Sequence, residues 1–180
     1  LLTGKALLIV YAVATAGATV SKLARGSFQS HGHSYPQLPI FDIFRNSFFH
    51  LIHGQNLYGQ FPLEYDFFKY SPTFALLMGP IAALPYSPGA LVWNLLNAMA
   101  LLAAIWAIPR VSDPRKAYVL WFILLSLIGQ LQNAESNALM AGLMIGGWVA
   151  HERKKPLLSS LCIVLSVFTK LFGGLALLPC

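Results

Sequence analysis

Charged residues are scarce in this chain of 180 residues, and acidic ones are the scarcest, with six Asp and Glu against twelve Lys and Arg. Charged side chains make up 10% of the sequence, whereas about 25% is usual in a soluble domain. This scarcity, with 57% apolar residues, excludes disorder, collagen, a coiled coil and a typical water-soluble globule. The two cysteines, Cys162 and Cys180, have apolar neighbours and predict no disulfide framework. The remaining class is a protein that crosses a membrane several times.

The apolar runs predict an all-α fold, a polytopic transmembrane helix bundle that forms a single domain over residues 1–180. A span needs about 20 residues to cross a hydrocarbon core about 30 Å thick. Pro80 and Pro85 interrupt the second run, which is also short, so we expect it to dip into the membrane and return. The first run could alternatively be a signal peptide. The predicted spans are residues 6–24, 73–86, 89–108, 117–131, 137–150 and 157–169.

Most of the net charge of +6 lies in short connectors between the runs, so we interpret it as a topology signal and expect no nucleic-acid partner. Connectors 109–116 and 151–155 carry three positive charges each and are expected in the cytoplasm. The polar stretch 26–72 and the connector 130–137 then face outward. Because the chain starts with Leu and stops within an apolar run, we expect it to be the N-terminal part of a longer protein.

An amphipathic helix is predicted over residues 41–54, within the outer loop. Apolar residues recur there at helical spacing, and Gly54 is a plausible C-terminal stop. Such a helix lies at the membrane interface. Asp42 stands near its N-terminus, where the helix dipole favours an ionised carboxylate that can act as a base. The alternative is that Asp42 only caps the helix.

Further polar residues stand where the chain meets the membrane. Aromatic residues in the outer loop suit either the interface or a sugar, and Lys69 could hold a phosphate or extend its ammonium to the interface. The connector 130–137 is rich in side-chain amides, which need hydrogen-bond partners near the membrane edge. A simple turn explains the presence of some of these residues. His31, His33, His50 and His53 lack recognisable metal spacing, and no metal or cofactor is expected.

Together these elements resemble glycosyltransferase family 87, also called the DUF2029 group. The matching elements, in chain order, are Phe41-Asp42-Ile43-Phe44, Gly54 through Tyr58, Phe68-Lys69-Tyr70-Ser71-Pro72, Pro80 through Pro85, Trp93 with Asn97, Gln132-Asn133 with Asn137, and Lys170. The ordered set covers about residues 35–175. The resemblance implies a GT-C type membrane enzyme that uses polyprenyl-phosphate mannose.

The implied reaction is inverting transfer of a hexose outside the cytoplasm, to a lipid or glycan acceptor, by an enzyme in the cell membrane. Asp42 would be the general base. The substrate-binding residues would be Arg45, Tyr58, Lys69, Tyr70, Gln132, Asn133, Asn137 and Lys170. The lysines and Arg45 would stabilise the leaving phosphate, and the tyrosines would line the sugar pocket. Two other classes stay open: a transporter or channel fragment, whose polar groups would lie mid-span, and a non-catalytic scaffold.

Overall fold

The computed structural model describes residues 4–30 and 32–177, and the protein is 70% helical. His31 and Cys180 lie outside the described residues. The helices are α1 (Gly4–Leu23), α2 (Pro39–Ile52), α3 (Pro72–Leu77), α4 (Gly79–Ala82), α5 (Tyr86–Trp106), α6 (Asp113–Gln132), α7 (Asn137–Glu152) and α8 (Pro156–Thr169), followed by a 3-10 helix over Leu171–Leu177. The predominantly helical class predicted from the sequence is confirmed.

One element was not predicted: an antiparallel hairpin of strands β1 (Ser27–Ser30) and β2 (His33–Pro36). Phe28 lies opposite Tyr35 in its register. Gly32 has a φ of +79°, a left-handed conformation that glycine adopts without steric cost. The strands have four residues each, too few for an alternating pattern to stand out in the sequence.

In the described part of the chain, two helices, α1 and α5, are long and apolar enough to cross a membrane. They pack antiparallel, with Gly4 against the Trp106 ring at one end and Asn94 bonded to Thr19 near the other. Asn94 also donates to the Leu131 carbonyl, at 2.8 Å. The buried side-chain amide of Asn94, on α5, therefore links this helix to α1 and α6.

The two basic connectors lie together at one end of the bundle. Arg110, between α5 and α6, donates to the Glu152 carboxylate at 3.1 Å. Arg153, between α7 and α8, donates to the Ala107 carbonyl at 2.7 Å. We call this the basic end.

The opposite end, called the loop end, carries the hairpin, α2, the loop 53–71, the turn 133–136 and Lys170. The short helices α3 and α4 leave it and return to it. Ser71 begins α3, and Tyr86, which begins α5, donates its hydroxyl to the Leu38 carbonyl just before α2. Pro80 lies in the first turn of α4, where it separates the two helices.

Candidate active site

Helix α2 provides the predicted polar face at the loop end. Pro39 starts it with a preset φ, and Gly54 follows it with a φ of +67°. Phe44 is fully buried and packs edge-to-face against Tyr70 and Phe74, with ring centroids 4.9 and 5.0 Å apart. This aromatic contact fixes α2 against the point where α3 begins.

Asp42 is half-buried on α2 and does not cap it. The N-cap position is Leu38, no side chain caps the N-terminus, and the Asp42 carboxylate accepts from Asn46 at 3.4 Å. Burial raises the pKa of Asp42 to about 6, the neighbouring Glu64 carboxylate raises it too, and Arg45 lowers it. The helix dipole, from which the sequence predicted an ionised carboxylate, acts in the opposite direction to this burial. A carboxylate with this pKa is ionised at neutral pH and still basic enough to accept a proton.

Arg45 lies one turn further along α2. Its guanidinium stands over the Phe49 ring, 5.3 Å from the centroid. Its Nε is buried and has no hydrogen-bond partner within residues 4–30 and 32–177. A cation so placed holds a positive charge beside Asp42 and keeps a donor for a ligand oxygen.

Four of the predicted substrate-binding residues line one cavity of about 360 Å³, here called the lysine cavity. They are Tyr58, Lys69, Tyr70 and Lys170. Lys170 comes at the end of α8, where the chain turns to extended backbone. Its ammonium donates to Asn137 Oδ1 and lies 5.9 Å from the centroid of the Tyr70 ring. The fifth predicted residue, Asn137, thus orients the lysine without lining the cavity.

The two lysines of this cavity differ in their surroundings. Lys69 is 62% exposed and pairs with Asp66, whose pKa is lowered chiefly by the hydrogen bond from that lysine. Lys170 is part-buried and has a neutral amide as its hydrogen-bond partner. Lys170 forms no direct ion pair within the described residues, so more of its charge is left for a ligand and it is the better-prepared anion site.

The remaining predicted residues do not line the lysine cavity. Asp42 and Arg45 lie on the polar face of α2. Asn133 lines a neighbouring cavity of about 390 Å³ together with Lys22, Gln37 and Tyr65. Gln132, the last residue of α6, is half-buried and lines neither cavity.

Two residues between Asn133 and Asn137 went unassigned in the sequence. Glu135 accepts a hydrogen bond from the Asn137 side-chain amide, so Lys170, Asn137 and Glu135 form a chain. Ser136 is fully buried at the turn, with no partner for its hydroxyl within the described residues. Both residues belong to the polar connector 130–137 that the sequence placed at the membrane edge.

No group of three or more His, Cys, Asp or Glu side chains could hold a metal ion in the part of the chain that the structure describes. His33 and His50 have different surroundings. His50 contacts Glu64 at 2.7 Å and stacks on Phe61, whereas His33 lines the space beside the hairpin.

In a comparison with protein families, the model of glycosyltransferase family 87 matches residues 67–180. The chain belongs to glycosyltransferase family 87. The resemblance noted in the sequence is therefore confirmed, and the family indicates a glycosyltransferase that acts on a sugar donor and an acceptor. No curated protein and no solved structure matches the chain.

The region that matches the family model contains some of the predicted site residues and not others. Residues 67–180 include Lys69, Tyr70 and Lys170, three residues of the lysine cavity, and also the amides of the 130–137 turn. Asp42 and Tyr58 precede the matched region. The role of base for Asp42 therefore depends on the geometry of α2 and on the motif around residue 42.

Proposed function

We propose that this family 87 protein transfers a hexose, with mannose as the first choice, from a polyprenyl-phosphate donor to an acceptor hydroxyl outside the cytoplasm. The observation that carries the proposal is a pair of adjoining cavities, of which one contains two lysines and the other is apolar. The lysine cavity offers two ammonium groups, and an apolar cavity of about 300 Å³, lined by Phe74, Leu77 and Leu165, lies beside it. Thr169 lines both. A charged headgroup with a hydrocarbon tail requires this combination.

The lysine cavity supplies what the donor phosphate needs. Lys170, oriented by Asn137, and Lys69 donate to its oxygens and stabilise the charge that develops as it leaves. The Tyr58 hydroxyl, which donates to the Tyr70 carbonyl at 3.3 Å, braces the tyrosine wall against which the hexose packs. Asn133, in the neighbouring cavity, is the candidate for a further hydroxyl contact, whereas Gln132 lines neither cavity and has no contact with the hexose in this arrangement.

Asp42 acts as the general base. It takes the proton of the acceptor hydroxyl as the acceptor oxygen forms its bond to the anomeric carbon, on the face opposite the phosphate. The bond from the anomeric carbon to the phosphate oxygen breaks, and its electron pair leaves with polyprenyl phosphate. No general acid is required because this leaving group is already an anion.

The location of the site supports an extracytoplasmic reaction. The basic connectors gather at one end of the bundle, and the lysine cavity, Asp42 and Asn133 lie at the other. Positively charged connectors favour the cytoplasm, which puts the loop end outside. A re-entrant α3–α4 segment is consistent with this, since both of its ends lie at the loop end.

The arrangement of polar groups favours a transferase over a transporter. Asn94 and Asn97, the buried amides of α5, bond to Thr19, Leu131 and Leu139 of other helices, and they line neither the lysine cavity nor the cavity that contains Asn133. The polar cavities lie at the loop end instead.

The test is transfer of labelled mannose from polyprenyl-phosphate mannose, in membranes that contain the full-length protein. We expect Asp42→Asn to slow transfer by about 10²- to 10⁴-fold, the usual contribution of a general base. The matched control is Asp113→Asn, which changes an exposed carboxylate at the basic end. Equal transfer by wild type and Asp42→Asn would remove Asp42 from the mechanism. If wild type transfers no hexose from any polyprenyl phosphate, the donor assignment is wrong.

A further inference from the structure

A second polar cavity, here called the aromatic cavity, lies between the β-hairpin and the loop that follows α2, and it encloses about 510 Å³. Three aromatic side chains, Tyr35, Phe61 and Tyr65, form its walls. His33, Gln60 and Glu64 add polar groups. The donor site proposed above uses none of these six residues.

One wall is a cluster of aromatic rings that the hairpin holds in place. Tyr35 is 6% exposed and meets Tyr65 edge-to-face, with ring centroids 5.5 Å apart. Phe28, its partner in the strand register, lies 5.5 Å from the Tyr65 ring. Tyr65 is nevertheless 47% exposed, so its ring is held in place and still accessible to a ligand.

The opposite wall combines a ring with a buried carboxylate. Phe61 stacks on His50, with centroids 3.7 Å apart and planes only 8° from parallel. His50 Nε2 lies 2.7 Å from Glu64 Oε1, and the Glu64 side chain is 5% exposed. Within residues 4–30 and 32–177, His50 is the hydrogen-bond partner of the Glu64 carboxylate, and the contact uses Oε1. The carboxylate is thus held by one oxygen and able to accept a hydrogen bond with the other.

This combination of groups matches a carbohydrate. A pyranose packs its C–H face on an aromatic ring, while its hydroxyls donate to a carboxylate and to an amide oxygen such as that of Gln60. Pockets that recognise small molecules generally pair aromatic walls with a few polar groups that fix orientation. A hydrocarbon chain forms no hydrogen bond with a buried carboxylate and would leave it unsatisfied. A phosphate would be repelled by its negative charge.

The cavity also adjoins α2, the helix that carries Asp42, because its lining residue Glu64 contacts His50 of that helix. The Glu64 carboxylate is close enough to Asp42 to affect its ionisation. Tyr65 lines both the aromatic cavity and the cavity that contains Asn133. All seven lining residues precede residue 67, outside the region that the family model matches. The aromatic cavity is therefore a feature beside the candidate base that the matched region does not include.

We propose that the aromatic cavity binds the glycan part of the acceptor and directs one of its hydroxyls toward Asp42. This inference rests on the proposed function, since it names the acceptor of that reaction as a carbohydrate. Tyr65 and Gln60 then determine acceptor specificity, and the hairpin positions them.

The test measures binding and transfer separately, with the full-length protein in lipid nanodiscs. Mannotriose is the probe, with maltotriose beside it, and ligand-observed NMR gives their dissociation constants. We expect Tyr65→Ala to weaken trisaccharide binding about tenfold, equivalent to roughly 1.4 kcal/mol. The matched control is Phe67→Ala, which removes another exposed aromatic ring two residues away. Gln60→Ala is a second test, because Gln60 is exposed and its replacement does not disturb the ring cluster.

In the transfer assay, Tyr65→Ala should raise the KM for the trisaccharide acceptor and leave the KM for the polyprenyl donor unchanged. The proposal is overturned if Tyr65→Ala, Gln60→Ala and Phe67→Ala bind alike, or if neither trisaccharide binds to wild type. If binding depends on Tyr65 but no hexose is transferred from polyprenyl phosphate, the proposed donor fails and the glycan site stands. If transfer proceeds with an acceptor KM that Tyr65→Ala does not alter, the glycan site fails and the donor stands.

Discussion

At the scale of single residues, two aspartates of the loop end show how surroundings assign different roles. Asp66 is exposed and accepts a hydrogen bond from Lys69, which lowers its pKa. Asp42 is half-buried beside Glu64, and its pKa is raised to about 6. Only Asp42 therefore changes its protonation state near neutral pH, as a general base should.

A pH profile tests this assignment. The deprotonated form of Asp42 dominates above its pKa, so we expect the transfer rate to fall as the pH drops through about 6. Glu64→Gln removes the negative charge that raises this pKa, and the acidic limb should then move to lower pH. Arg45 acts in the opposite direction, so Arg45→Gln should move the limb to higher pH. The measurement is kcat against pH at saturating donor and acceptor.

Asp113→Asn is the control for that profile, because its carboxylate lies at the basic end. If the acidic limb of the Glu64→Gln profile stays where it is in wild type, the role of Asp42 as base is contradicted.

The raised pKa of Asp42 also affects the stability of the fold. The ionised carboxylate is disfavoured in the folded state, so the contribution of this group to stability decreases as the pH rises from about 4 through 6. Asp42→Asn should therefore fold at neutral pH at least as well as wild type.

At the scale of elements, close contact between helices α5 and α7 depends on a glycine. A Cβ built at Gly142 would lie 2.8 Å from the Ala100 carbonyl carbon and from the Leu101 nitrogen, both in the α5 backbone. Backbone atoms cannot move aside as a flexible side chain can, so α7 would have to shift. Gly129 on α6 is a matched case, with nothing within 4 Å of its added Cβ.

Gly142→Ala should therefore lower the free energy of unfolding by about 1–3 kcal/mol, the usual cost of overpacking. Gly129→Ala should leave it unchanged or raise it by about 0.5–1 kcal/mol, since alanine favours a helix more than glycine does. Thermal unfolding of both purified variants in the same detergent gives the comparison. Equal Tm values for the two variants would mean that α5 and α7 are not packed as described.

At the scale of the whole molecule, the two ends of the bundle differ in chemistry. Arg110 and Arg153 bring the basic connectors into contact with each other, and every polar cavity considered for catalysis lies at the loop end. We predict that the basic end is cytoplasmic. Single cysteines at Gln29 and Arg115, in a background without Cys162 and Cys180, provide the test.

An impermeant maleimide applied to intact cells should label Gln29→Cys and leave Arg115→Cys unlabelled until the membrane is opened. Both positions are exposed in the structure, so a difference in labelling reports the side of the membrane. The reverse pattern would put the site in the cytoplasm and contradict the proposed lipid-linked donor.

The sequence determined the features that arise from neighbours along the chain. Helical spacing and Gly54 predicted a helix over residues 41–54, and α2 spans Pro39–Ile52. The predicted run 117–131 is shorter than α6, which begins at Asp113, because hydropathy does not register a first turn of charged residues. Whether each shorter run crosses the membrane stays a prediction.

The tertiary structure decided which distant groups share an environment. Lys170 and Asn137 are 33 positions apart, and only the packing of α7 against α8 brings them into contact. The sequence predicted an ionised Asp42 from the helix dipole, which is a local effect, whereas the burial that raises the pKa of Asp42 depends on elements packed from elsewhere. The aromatic cavity likewise required the hairpin to bring Tyr35 to Tyr65. Local sequence patterns determine where the helices form. The electrostatic environment and burial of a side chain depend on all of its neighbours in space, and these come together only in the folded chain.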